Sequence, residues 1–215
     1  VDDNIFANKK KALQLFEELK KLKIKWACQG SIDIARDEKL IKLMSEAGCI
    51  EMLLGFENIN IKNIKKMKKV ANYEFDYEKI INIYKKYRIL VHASYVIGYD
   101  YDDKNCFDEI LEFSKKHKFF LAGFNPALPI PGTPFYERWW LDENLRYGKA
   151  CFEPYNMTIE EFEAGILKCK VEYNRHSSIW KRLFDGAANF KHALVFLAVN
   201  YINRKEVYNK KGIKL

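Results

Sequence analysis

The stretch Met52-Leu-Leu-Gly-Phe-Glu-Asn-Ile-Asn60, with Ile64-Lys-Lys-Met-Lys-Lys69 behind it, decides the fold. It reads as a short apolar strand ending in a carboxylate, then a turn, then a lysine-rich helix. Three other segments repeat that order. Residues 24–29 predict a strand, with a loop at 30–36. Residues 90–98, Leu-Val-His-Ala-Ser-Tyr-Val-Ile-Gly, are β-branched and aromatic, and the acidic loop Tyr99-Asp-Tyr-Asp-Asp103 follows. Residues 119–125 form the last clear strand and run into Pro126-Ala-Leu-Pro-Ile-Pro-Gly-Thr-Pro134, where X-Pro steps forbid helix.

Helical patterns alternate with these strands. In residues 9–23, Ala12, Leu15, Phe16, Leu19 and Leu22 share one face. Asp37 caps a helix with Leu40, Ile41, Met44 and Ala47 inward, and Gly48 ends it. Asp76 caps the helix of Tyr77, Ile80, Ile81 and Tyr84, and the acidic loop caps the helix of Phe107, Ile110 and Leu111. Strands and helices alternating at this length imply parallel strands joined by crossovers, with polar loops gathered at one end where ligands bind. The expected fold is α/β, a partial (β/α)6 TIM-like barrel over residues 1–136, with a mainly helical C-terminal extension over 137–215. No G-x-G-x-x-G follows any strand, which argues against a dinucleotide site. In the extension, Thr158-Ile-Glu-Glu161 has capping-box spacing, and the aromatics Tyr136, Trp139, Trp140, Phe152 and Tyr155 are expected in the core between barrel and tail.

The 215 residues suffice for a real core, and the net charge of +8 comes from lysines scattered over helix faces rather than from a block. The five cysteines, Cys28, Cys49, Cys106, Cys151 and Cys169, show no C-x-x-C and no disulfide spacing. They indicate a reducing, cytoplasmic setting, and Cys28 and Cys49 are expected to be ordinary buried thiols. No run is long enough to span a membrane. The chain opens on Val1-Asp-Asp-Asn with almost no strand before it, so an upstream segment is expected.

The predicted strand ends carry Asp2, Asp3 and Asn4; Gln29, Ser31 and Asp33; Glu57 and Asn58; Gly98 and Asp100; Asn125 and Pro126. Carboxylates, amides and small residues suit a polar, partly cationic small molecule with hydroxyls. They do not suit a Ser-His-Asp triad or a zinc hydrolase. Glu57 and Asp100 could serve as a glycosidase acid pair, although their spacing does not place them. Asp100, Asp102 and Asp103 have the bland reading of helix caps, and His92 that of a satisfied strand histidine.

Leu54-Gly-Phe-Glu-Asn58, Ile64-x-x-Met-x-Lys69, Val96-Ile-Gly-Tyr-Asp100 and Leu128-Pro-Ile-Pro-Gly-Thr-Pro-Phe-Tyr136, with Val-Asp-Asp-Asn at the start and Gln29-Gly-Ser-Ile-Asp-Ile-Ala35, stand in an order that resembles radical S-adenosylmethionine enzymes. The likeness is to the class with an N-terminal cobalamin-binding domain. It implies S-adenosylmethionine, a four-iron four-sulfur cluster and cobalamin as cofactors, and an unactivated small-molecule or lipid substrate. Cofactor contacts are implied for Asp2 and Asp3 (amino group), Ser31, Glu57 (ribose), Lys69 (carboxylate), and Ile97, Gly98 and Asn125 (adenine). The family's C-x-x-x-C-x-x-C is absent, so the resemblance implies that the cluster ligands and a cobalamin domain would lie in a missing N-terminal part, and this piece alone would be inactive. The competing reading is a non-catalytic basic module contacting RNA. It is disfavoured because no aromatics are interleaved with clustered cations.

Overall fold

A computed structural model describes residues 5–68, 76–138, 152–184 and 186–209. The order is α1 (Lys9–Leu22), β1 (Trp26–Gly30), a 3-10 turn (Ile32–Arg36), α2 (Glu38–Glu46), β2 (Cys49–Glu57), α3 (Ile61–Lys66), α4 (Tyr77–Lys86), β3 (Leu90–Ile97), α5 (Cys106–His117), β4 (Leu121–Pro126), then α6 (Pro134–Arg138), α7 (Ile159–Tyr173), α8 (His176–Phe184), α9 (Ala187–Lys191) and α10 (Ala193–Asn209). The four strands form one parallel sheet in the order β1-β2-β3-β4. Neighbouring strands are thus consecutive in the chain, as a unit of a barrel requires and as the sequence grammar predicts.

Local chemistry explains the boundaries. Asn8, Asp37, Asn60 and Asp76 each cap the helix that follows by accepting a backbone N–H. Gly48 turns α2 into β2 with φ 99°, where a Cβ would lie 2.1 Å from the Ile24 carbonyl oxygen, so no other residue fits. Thr158 and Glu161 form the expected capping box.

The strands alternate. Met52, Leu54 and Phe56 of β2, Val91, Ala93, Tyr95 and Ile97 of β3, and Ala122 and Phe124 of β4 face the helices and form the main core. Phe56 lies against Tyr77, Tyr95, Phe113 and Phe119, and each such buried ring contributes on the order of 1.5–3 kcal/mol. The odd positions of β2 (Glu51, Leu53, Gly55, Glu57), the even positions of β3 (His92, Ser94, Val96) and Leu121, Gly123 and Asn125 are only half-buried. They make up the opposite face, the concave side in a barrel.

The tail is built onto this unit. α7 packs on α5 and β4 and gives Phe162, Ile166, Cys169 and Tyr173 to the main core. A second cluster joins Leu90 and Phe120 to Ile179, Leu183, Ala188 and Phe196. Among the described residues no helix is long and apolar enough to cross a membrane.

Three expectations are corrected here. In α1, Ala12 and Phe16 are buried, but Leu15 and Leu22 are 42% and 64% exposed. Phe16 packs on Trp26 of β1 and on Phe6, and the Leu15 and Leu22 side of the helix is left to solvent. Tyr155 is 61% exposed rather than core, while Phe152 is buried against Phe135. Asp102 does not cap α5: its carboxylate is turned inward, and Asn105 stands at the helix start. Trp139, Trp140 and Cys151 lie outside the described residues.

Candidate functional site

Parallel strands bring the loops after β1, β2, β3 and β4 to one end of the sheet. Across the half-buried face, Gly55, Ser94 and Gly123 stand side by side in register on three strands. Two longer side chains fold back over this floor. A Cβ on Gly55 would lie 2.7 Å from Glu57 Oε1, and one on Gly123 would lie 3.2 Å from Asn125 Nδ2. The Asn125 amide also reaches Ser94 Oγ at 3.4 Å. A carboxylate and an amide therefore converge above a row of small residues, a shape that admits a flat polar ligand against the backbone.

Glu57 is held there by its backbone. It ends β2 where the register to β3 shifts, and it adopts φ 62°, a left-handed conformation uncommon for a non-glycine residue. What keeps it there is the neighbouring network. The Asp102 carboxylate, 1% exposed, accepts from the Gly98 and Tyr99 backbone N–H groups at 2.9 and 3.0 Å. It also accepts from the Asn58 amide at 3.0 Å and the Asn63 amide at 2.7 Å. Asn63 Oδ1 in turn accepts from Tyr101 N–H, and Asn58 Oδ1 from Asn60 N–H. The loops after β2 and β3 are thus fastened to α3 through one carboxylate. Burial pushes the Asp102 carboxyl above the usual carboxylate range, against the opposing pull of its four donors, Asn58 foremost.

Gly98 has φ 97°, and its Cβ direction is filled by the Phe162 ring at 2.7 Å. The packing that demands glycine there thus comes from α7. Ile97 is fully buried in the main core. Ser31 donates to Asp33 within the 3-10 turn. Asp100, 8% exposed, is paired with Lys66 of α3. Ile5 N–H donates to the Gln29 carbonyl, and Phe6 lies beside Gly30, so the chain just after Asp2 and Asp3 runs along the end of β1. Asp2, Asp3 and Lys69 themselves lie outside the described residues. The structure thus gathers Glu57, Asn125 and Ser94 over one floor and sets Gly98 beside it.

The sequence reading missed the Asn58–Asn63–Asp102 network. Its signal was available: Asn63 precedes the inward Ile64 on a short helix, a buried position where an amide needs a partner.

Metal-ligand chemistry is not assembled here. Among the described residues, no three of His, Cys, Asp and Glu are grouped to hold a metal ion. Cys28, Cys49, Cys106 and Cys169 are free thiols, and Cys28 and Cys49 lie next to each other on neighbouring strands. Cys49 is pushed up by its hydrogen bond with Cys28 and by burial, Cys106 by burial, and Cys169 by burial to about 12. These residues do not fit an iron–sulfur cluster.

No family model matches the chain. Over 63% of the chain the structure superimposes, with a TM-score of 0.54 and 15% identity, on 28% of TsrM from Kitasatospora setae, solved with cobalamin and a [4Fe-4S] cluster bound. The four-stranded parallel sheet and its helices thus share the fold of that part of TsrM. The chain's sequence relatives include methyltransferases and an anaerobic magnesium-protoporphyrin IX monomethyl ester cyclase. The bacteriochlorophyllide d C-12(1)-methyltransferase of Chlorobaculum tepidum is 27% identical over 214 residues, 95% of this chain and 46% of that protein. The hopanoid C-2 methylase of Rhodopseudomonas palustris is 26% identical over 144 residues, 64% of this chain and 27% of that protein. The chain therefore spans less than half the length of these relatives.

Proposed function

We propose that this chain is the cofactor-cradling part of a radical S-adenosylmethionine methyltransferase acting on an apolar small-molecule or lipid substrate. The observation that carries the reading is the convergence of Glu57 and Asn125 over the Gly55–Ser94–Gly123 row, at the ligand-binding end of a parallel sheet. S-adenosylmethionine, when bound, supplies an activated methyl group. The protein's part is to hold and orient it. Glu57 accepts from the ribose hydroxyls, which suits a carboxylate beside a flat floor. Asn125 borders the base, and Gly98 marks the loop beside it. Asp2 and Asp3 take the ammonium and Lys69 the carboxylate, by charge.

The cluster is a different matter. The thiols present do not fit it, and the sequence holds no C-x-x-x-C-x-x-C, so its ligands would have to come from residues beyond these 215. The relatives named for bacteriochlorophyllide and hopanoid substrates support the substrate class.

Calorimetric titration with S-adenosylmethionine tests the cradle. Glu57→Gln should weaken binding about tenfold, about 1.4 kcal/mol, by exchanging a charged acceptor for a neutral one. Asn125→Ala should weaken it less, and neither should lower the melting temperature. An unchanged affinity in Glu57→Gln ends the ribose assignment.

A further inference from the structure

The tail helices leave an apolar row in solvent at the end of the sheet where the strands begin. Their inner sides, with Ile179, Leu183, Ala188 and Phe196, close over Leu90 and Phe120 at the starts of β3 and β4. Their outer sides carry large apolar residues as well. Trp180, Phe184, Phe190 and Leu194 are 41%, 64%, 60% and 87% exposed. Trp180 stacks on Phe184 at 5.7 Å, and Phe184 lies 6.3 Å from Phe190, so three rings form one row across α8 and α9. Single exposed apolar residues are ordinary, but adjoining rings mark a surface that meets something.

Cations flank the row. Residues 175–205 hold six lysines and arginines against one acid, Asp185, which lies outside the described residues. Of the six, Arg175 is paired with Glu172 and Arg182 is buried, so the charge beside the rings is that of Lys181 and Lys191, both exposed. The turn from α4 to β3 adds another. Arg88 Nη1 donates to the Ala187 carbonyl at 2.8 Å, and the Arg88 carbonyl meets His192 Nε2 at 2.9 Å. Burial, with the Lys191 and Lys25 charges, holds the His192 pKa below its ordinary value against that hydrogen bond, which sets Lys25 on the same side.

We propose that this face docks on an anionic lipid bilayer, with the rings seated just below the headgroups and the flanking cations on the lipid phosphates. Charge complementarity selects the occupant. Exposed Trp, Phe and Leu bordered by Lys and Arg are the composition of an interfacial element. A second copy of the chain fits less well, because a two-fold contact sets the face against itself and brings the Lys181, Lys191 and Arg88 charges of two copies together. Single-stranded RNA fits less well too, because Leu194 offers no stacking face and Trp180 and Phe184 already stack on each other. The face lies at the opposite end of the sheet from Glu57 and Asn125, so it does not depend on the cofactor reading and would leave the ligand loops turned away from the membrane.

Vesicle flotation with the whole chain tests this, using phosphatidylcholine alone and equal parts of phosphatidylcholine and phosphatidylglycerol. The chain should float with the mixed vesicles and bind phosphatidylcholine alone at least about tenfold more weakly, and added salt should weaken the mixed-vesicle binding. Phe184→Ser with Phe190→Ser, both at exposed positions, should weaken it at least about tenfold at little change in melting temperature. Lys181→Glu with Lys191→Glu should do the same. The emission of Trp180, read as wild type minus Trp180→Phe, should shift to the blue on the mixed vesicles, which charge attraction without insertion would not produce. No flotation with mixed vesicles overturns the proposal, and so does flotation that both double variants keep at wild-type strength. A dimer in light scattering that Phe184→Ser with Phe190→Ser dissolves would also overturn it and assign the row to a second copy.

Discussion

Two buried charges stand at opposite ends of β3 and β4, and neither has a charged partner among the described residues. Asp102, above the strands, is surrounded by donors: two backbone N–H groups and two amides. Arg182, below them, is surrounded by acceptors: three backbone carbonyls and one amide oxygen. Its guanidinium also lies 4.0 Å from the Tyr173 ring centroid. The difference lies in what each can do about burial. A carboxyl can take a proton, and burial already pushes Asp102 that way. A guanidinium keeps its charge, so Arg182 depends on its acceptors. The upper network is therefore adjustable and sits beside the ligand face. The lower one is a fixed rivet joining the tail helices to the sheet.

The largest effect is expected at the rivet. Arg182→Ala removes four hydrogen bonds and leaves buried carbonyls unmatched, a loss of about 3–5 kcal/mol. Arg182→Met, which keeps the stem, should lose less. Urea unfolding reads both, and a loss under about 1 kcal/mol would mean that the tail is held by the apolar cluster of Leu90, Phe120, Ile179 and Phe196 alone.

At the other end, Asp102→Ala should cost about 2–4 kcal/mol by leaving four buried donors unpaired. Asp102→Asn, which retains one acceptor oxygen, should cost roughly half of that. Because the same donors fix Gly98 and the turn after Glu57, both variants should also weaken S-adenosylmethionine binding. Stability lost with affinity intact would separate the network from the ligand face.

These two networks also mark where sequence reading stops. The strand–loop–helix grammar, the caps at Asp37 and Asp76, and the Thr158–Glu161 box follow from spacing, because each rests on residues a few positions apart. So does the gathering of Glu57 and Asn125, since parallel strands bring loop residues together whatever the register. The partners of Asp102 stand 44 and 39 residues away, and those of Arg182 up to 63. A carboxylate before a helix looks like a cap in sequence. Only packing shows that Asp102 points away from its helix, toward Asn58 and Asn63. The exposed Leu15 and Leu22 are the converse: periodicity marks an apolar face, but only the neighbours decide whether anything covers it.

pH should separate the two ends by sign. His117, 6% exposed at the end of α5, packs against Phe113 at 4.4 Å and Phe119. Burial, then the Lys85 and Lys116 charges, with Glu78 opposing, lower its pKa from 6.5 to about 4. The unfolded chain therefore takes up this proton first as pH falls. Stability is lost between about pH 6.5 and 4, by at most about 3 kcal/mol. Asp102 runs the other way. Its folded pKa lies above the unfolded 3.8, so acidification through that folded value relieves the penalty of holding a buried charge. Urea midpoints at pH 7.5, 5.5 and 4.5 should fall in wild type, fall less in His117→Gln, and fall more steeply in Asp102→Asn, where the relief is gone. Equal slopes in all three would mean that neither group titrates with folding. Equal slopes in wild type and Asp102→Asn alone would leave His117 as the one of the two groups that titrates with folding and make the upper network as rigid as the rivet below.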